Sequence, residues 1–205
     1  MNELTQALIA DSAAAPPAHI LEGVNDDLAH EALPFAPHTI YEELWHIAFW
    51  QQVTLDWVSG IETPFPVEPA AGFPKKADAD VEPWDQLRRR FLDSLKQVAA
   101  ISDDEAGHDK QVRCPSRPGN PVRIMSVREQ LESLAAHNAY HFGRIVLLRQ
   151  LRQHLTPLVH LCCEALRLQF IGLEQYTISC GKSLPPHLLS HPQPCKCHTA
   201  QPLGI

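Results

Sequence analysis

Ser133-Leu-Ala-Ala-His137-Asn-Ala-Tyr-His141-Phe-Gly-Arg-Ile-Val-Leu-Leu148 decides how this chain is read. Its apolar residues recur at three- and four-residue steps with no proline among them, which predicts an α-helix. Helical geometry then puts His137 and His141 on one face, one turn apart, where both imidazoles can grip a single metal ion. Reactive zinc-like ions take three protein ligands and keep one position open, so the pair asks for a third ligand. His46, within Tyr41-Glu-Glu-Leu-Trp-His46-Ile-Ala-Phe-Trp50, is the candidate.

The flanks of both motifs read as ordinary helix boundaries. Ser126 with Glu129 makes a capping box in front of the histidine pair, and Thr39 with Glu42 makes another in front of His46. From Thr39 the stripe Ile40, Leu44, Ile47, Leu55 and Val58 runs to Gly60, with His46 beside it. A third helix is expected from Pro83 to Ile101, with Trp84, Leu87, Phe91, Leu95 and Val98 at helical spacing. Ile61 to Val81 between them reads as an irregular connection, long enough to carry the chain along a bundle and return it parallel. Residues 3–10 and the segment opened by Pro16 and Pro17 supply a first helix in two pieces, and Asn25 to His30 a turn. Ser102 to Pro121 reads as turn-rich, and Val122-Arg-Ile-Met as a short extended piece. The fold class is all-α, a four-helix bundle.

The depths of the histidines can be compared. His46 lies roughly 20 Å from the end of its helix, and the midpoint of His137 and His141 roughly 18 Å from the start of theirs. Antiparallel neighbours bring the three level; parallel ones miss by about 8 Å. With 12 histidines in the chain, pairs at this spacing also arise by chance, and His187 and His191 form one. Prolines around that second pair argue against a continuous helix and a shared face.

Seventeen basic against 24 acidic residues in 205 give a net charge of −7, with no Lys/Arg block suited to nucleic acid. Arg88-Arg89-Arg90 reads as a solvated helix face. No run of about 18 apolar residues predicts a membrane span, and Met1-Asn-Glu-Leu-Thr-Gln lacks the features of a signal peptide. Six cysteines in a chain this long are no disulfide framework. A cytoplasmic protein with reduced thiols is expected. The domain is expected over residues 1–153, with a C-terminal extension over 154–205 that holds one helix at 157–173 and then a disordered tail. Leu158 to Leu173 needs burial, and a homodimer is one way to supply it. In the tail, Cys195-Lys-Cys197-His198 lacks a second cysteine pair with which to build a metal site.

The two histidine motifs, Pro37-His-Thr-Ile-Tyr-Glu-Glu-Leu-Trp-His-Ile-Ala-Phe-Trp and His-Asn-Ala-Tyr-His-Phe-Gly-Arg-Ile-Val-Leu-Leu-Arg, resemble those of the DinB-like (YfiT-like) metalloprotein superfamily over about residues 1–150. The resemblance implies an up-down-down-up bundle with a divalent metal ion, zinc or nickel, held by His46, His137 and His141. Some relatives are thiol-dependent transferases or isomerases, and others are described as metal-dependent hydrolases. The chain departs from the pattern after Gln150, where relatives commonly finish.

Three neutral imidazoles leave a bound ion dipositive and open to water or to a thiol. The leading expectation is a metal-dependent hydrolase of a small-molecule substrate. The alternatives are a transferase or isomerase that uses a low-molecular-weight thiol, and a metal-binding or stress-related protein without catalysis. Catalytic residues beyond the ligands are not assigned. Glu42 is expected in its cap, Glu43 and Asp56 solvated, Tyr140 in packing, and Trp45 and Trp50 in the core or a pocket wall. Arg144 and Arg123 are the cations to inspect for a thiol's carboxylates.

Overall fold

Asn2 starts the chain's first helix by accepting the backbone N–H of Thr5 on its side-chain oxygen, 2.9 Å away. The computed structural model describes residues 1–9, 15–34, 36–75 and 82–179, with side chains up to residue 153 apart from Pro69. The helices are α1 (Glu3–Ile9), α2 (Pro17–Ile20), α3 (Asp26–His30), α4 (Ile40–Val58), α5 (Trp84–Asp103) and α6 (Val127–Ser179). Between α5 and α6 stands a hairpin, β1 (Gln111–Cys114) and β2 (Arg123–Ser126), antiparallel with Val112 opposite Met125. Among the described residues the fold is all-α apart from this small sheet. The chain divides into two units, Met1–Thr156 and Pro157–Ile205. In the second, the described backbone is helical to Ser179, through the stretch where the sequence places a further helix. His187, His191 and the Cys195–His198 cluster lie outside the described residues.

Both capping boxes form. Glu42 accepts the Thr39 N–H at 2.7 Å while Thr39 Oγ1 accepts the Glu42 N–H at 3.2 Å. Ser126 and Glu129 repeat the arrangement in front of α6 at 2.6 and 3.2 Å. Gly60, at φ +89°, releases the chain from α4 in a left-handed conformation that other residues rarely adopt.

Cross-helix hydrogen bonds give the helix directions. Tyr41 donates to the Glu82 carbonyl and Gln51 to that of Phe91, so α4 and α5 run the same way. Glu43 near the start of α4 meets His141 and Arg144 of α6, while His46 and Gln51 farther along meet His137 and Asn138, so these two are antiparallel. That is the orientation the depth comparison requires. One apolar cluster, with Leu44, Ile47, Trp84, Leu87, Phe91 and Ile145, fills one end of the bundle. A second, with Leu4, Leu8, Trp57, Val98, Val127 and Leu131, fills the other. Burying such side chains stabilises by about 1.5–3 kcal/mol each. Trp84, almost wholly buried, keeps its indole N–H satisfied on the Val24 carbonyl at 2.7 Å.

The hairpin extends the sequence reading, which sees only the Val122–Met125 piece. Its missing partner is Gln111–Cys114, whose burial alternates so that Val112 and Cys114 face inward. Four residues give a period-two pattern too short to stand out among polar neighbours. Arg90 is not simply solvated: it pairs with Glu82 through two bonds of 2.6 and 2.8 Å. Among the described residues no helix is long and apolar enough to cross a membrane.

Thr39→Ala removes the hydroxyl side of the box in front of the His46 helix. It is expected to cost about 1 kcal/mol, lowering the midpoint of thermal unfolding by about 2–4 °C, read by circular dichroism. An unchanged midpoint would contradict the role given to the cap.

Candidate metal centre

His46 from α4 and His137 and His141 from α6 each offer a ring nitrogen, and the three nitrogens lie within 4.8 Å of one another. The ring centroids are 4.5 to 5.1 Å apart. His46 and His141 are buried and His137 is half-buried.

What would let three neighbouring histidines serve as a ligand set is the partner of each Nδ1. His46 Nδ1 lies 2.6 Å from the carbonyl oxygen of Gly72, which can only accept, so Nδ1 carries the proton. His141 Nδ1 lies 2.6 Å from Glu43 Oε2, with the same consequence when the carboxylate is ionised. His137 Nδ1 lies 3.3 Å from Asn138 Oδ1. The orientation of that amide follows from a buried relay. The Phe91 carbonyl needs a donor, so Gln51 turns its Nε2 toward it at 3.2 Å and toward Ser94 Oγ at 2.6 Å. Gln51 Oε1 then accepts from Asn138 Nδ2 at 3.2 Å, which leaves Asn138 Oδ1 to face His137. In all three neutral rings the lone pair therefore resides on Nε2.

His46 Nε2 and His137 Nε2 are 3.1 Å apart. With both protons on Nδ1, this contact sets two lone pairs against each other with no donor between them. Two imidazole nitrogens bound to one ion at ~2.05 Å, at tetrahedral or octahedral angles, stand about 2.9–3.4 Å apart. The donor set and its spacing fit a divalent ion, so the group could hold one. Burial also keeps the His46 and His137 rings neutral. It pulls His46 down from 6.5 to about 4, with the neighbouring histidines adding to the effect and the Gly72 bond opposing it. It pulls His137 down to about 4 likewise, against the Asn138 bond.

The connection after α4 is a working part of this centre. Its 3₁₀ turn, Pro69–Gly72, delivers the Gly72 carbonyl to His46. A Cβ on Gly72 would stand 3.2 Å from His46 Cε1 and Nδ1 and 3.3 Å from Trp50 Nε1, so a side chain there would crowd the ligand. Phe73 stacks on His46 at 4.1 Å and on His38 at 3.9 Å. Trp57 and Asp56 anchor the start of the same connection through the carbonyl and hydroxyl of Thr63, at 2.8 and 2.6 Å.

Two expectations need correcting. Glu43 is not solvated. It is fully buried, because it faces α6, where it accepts from His141 and meets Arg144. Arg144 Nη2 stands 2.9 Å from Glu43 Oε1, an ion pair whose angle leaves that oxygen without a hydrogen bond. The i, i+3 step from Glu43 to His46 was the signal available in the sequence. Tyr140 is not packed in the core: it is 63 % exposed, its ring edge-on to His141 at 4.9 Å and under Arg144. Asp56 bonds Gln52 and Thr63 outside the cluster. Trp50 walls a cavity beside His137, and Trp45 stacks on Phe49 at the core's edge.

The family model of the DinB superfamily matches residues 17–145, a span that includes all three histidines. A search of the curated proteins found no match.

The depressed histidines make the stability of metal-free protein depend on pH. Above about 6.5 neither state binds the protons and there is no effect. As pH falls from there toward 4 the unfolded chain takes up protons that the folded rings refuse, so stability falls. The midpoint of thermal unfolding of chelator-treated protein is expected to drop across that window, and the drop to shrink in His46→Gln/His137→Gln. Equal pH curves for the two proteins would contradict the burial argument.

Proposed function

The chain belongs to the DinB superfamily, and on that premise we propose that His46, His137 and His141 hold one divalent metal ion, zinc or nickel, in a site that hydrolyses a small-molecule substrate. The observation that carries this reading is that each ring has a partner at Nδ1 while the three rings offer nitrogens within 4.8 Å of one another. A divalent ion bound there supplies Lewis-acid activation of water or of a substrate carbonyl. The protein's own part is orientation. Gly72, Asn138 and Glu43 each hold one ring, and a carboxylate behind His141 raises the basicity of its free nitrogen. Arg144 compensates the buried charge of Glu43.

A cavity of about 230 Å³ adjoins His137, large enough for a small substrate. Trp50 and Trp57 form apolar wall, which keeps water from one side of the reacting group, and Thr54, Gln130 and Ser133 offer polar contacts. Transfer to a thiol is the competing chemistry, because the same donor set leaves an ion able to take a thiolate.

Cobalt-substituted protein separates the two. Hydrolysis of p-nitrophenyl acetate that is lost in His141→Ala, with no cobalt–thiolate absorption on adding glutathione, is the expected result. A strong thiolate band without ester or amide turnover would replace the hydrolase by the transferase.

A further inference from the structure

The cavity beside His137 does not end at its aromatic walls. A second cavity, of about 360 Å³, shares Phe65 and Arg123 with it and opens toward the tip of the hairpin. Ring contacts trace the path: His137 to Trp50 at 6.4 Å, Trp50 to Phe65 at 5.0 Å, and the Arg117 guanidinium over Phe65 at 5.9 Å. The two cavities adjoin at Phe65 and Arg123, and we treat them as one groove. Its lining passes from a histidine of the centre along Trp50 and Phe65 to Arg117 and Arg123.

Three elements build its far end. The connection after α4 supplies Phe65, fixed close to α4 by the bonds from Trp57 and Asp56 to Thr63. The loop between β1 and β2 supplies Arg117, in a turn closed by the Asn120 N–H on the Arg117 carbonyl at 3.0 Å. The first residue of β2 is Arg123. A half-exposed ion pair of 2.6 Å joins Arg113 of the hairpin to Glu62 of the connection. Ser116 and Asn120 add neutral hydrogen-bonding groups.

The charge is what singles this groove out. The chain carries seven more acidic than basic residues, yet no carboxylate lines either cavity among the described residues. Two exposed arginines lining one end, with no acidic residue in the lining among the described residues, make a local positive end on a negative protein. Guanidinium presents paired N–H donors that match an oxyanion, and aromatic walls suit an apolar body. We propose that this groove takes a small amphipathic anion, its oxyanion between Arg117 and Arg123 and its apolar part along Trp50 and Phe65, with its other end directed at the three-histidine centre. Only the role of that other end rests on the metal reading; the anion subsite stands on the groove itself.

The probes are 4-phenylbutyrate and its uncharged counterpart 4-phenyl-1-butanol, titrated against the full chain with tryptophan fluorescence as the readout. The carboxylate is expected to bind about tenfold more tightly than the alcohol, and the preference to weaken as salt screens the exposed guanidiniums. Arg117→Gln/Arg123→Gln should bring the two probes level while the alcohol's affinity stays as it was. Arg117→Lys/Arg123→Lys should restore part of the difference. Equal affinities in the unaltered protein, or a carboxylate preference that survives the glutamine variant, would overturn the proposal. Repeating the titration after EDTA treatment separates the two readings. A preference that persists in EDTA supports the arginine subsite whether or not the histidines hold metal. One that disappears in EDTA yet survives the glutamine variant places the carboxylate on the metal and overturns it.

Discussion

A backbone carbonyl can accept a hydrogen bond but never donate one, and the centre of this protein depends on that asymmetry at two places. At Gly72 it acts directly and puts the His46 proton on Nδ1. At Phe91 it acts through Gln51 and Asn138, so that a main-chain atom of α5 fixes the tautomer of a ring on α6. Gln51 is fully buried and Asn138 nearly so, and a buried amide left without partners would cost about 1–3 kcal/mol. The relay therefore forms as a whole or leaves that cost uncompensated. Three helices and a loop are thereby locked to one arrangement of three imidazoles.

The consequence is a division of labour among the parts of the chain. The helices bring the three histidines level, because α4 and α6 run antiparallel with their histidines at matching depth. The connection from α4 to α5 does more than span the bundle. It supplies the Gly72 carbonyl, the Phe73 ring over His46 and the Phe65 ring in the groove. The hairpin, minor in size, brings cations to cavities whose linings hold no carboxylate among the described residues. The helices thus carry the histidines, and the loops they hold add groups that need non-repeating backbone.

The frame was legible in the sequence for a physical reason. Capping boxes and apolar stripes are local, so Thr39 with Glu42 and Ser126 with Glu129 marked helix starts that the structure reproduces. The three histidines were legible because helical spacing fixes His137 against His141, and depth along the helices selects His46. Glu43 was not legible. Its exposure depends on how far α4 is rotated against α6, and a carboxylate beside a capping residue reads as solvent-facing until its partners on the other helix are known. The roles of Gly72 and Asn138 were hidden for a similar reason: each acts across a long sequence separation, through an atom or an amide orientation that no motif encodes. Arg123 was legible as a cation to inspect, while Arg117 became its partner only once the hairpin placed both beside Phe65.

The central claim is that His46, His137 and His141 act together as one ligand set. Elemental analysis of the purified protein beside His137→Ala tests it most directly. The account predicts close to one zinc or nickel per chain in the unaltered protein and a large loss in the variant, with the helical circular dichroism of both the same. Equal metal content in the two would contradict it.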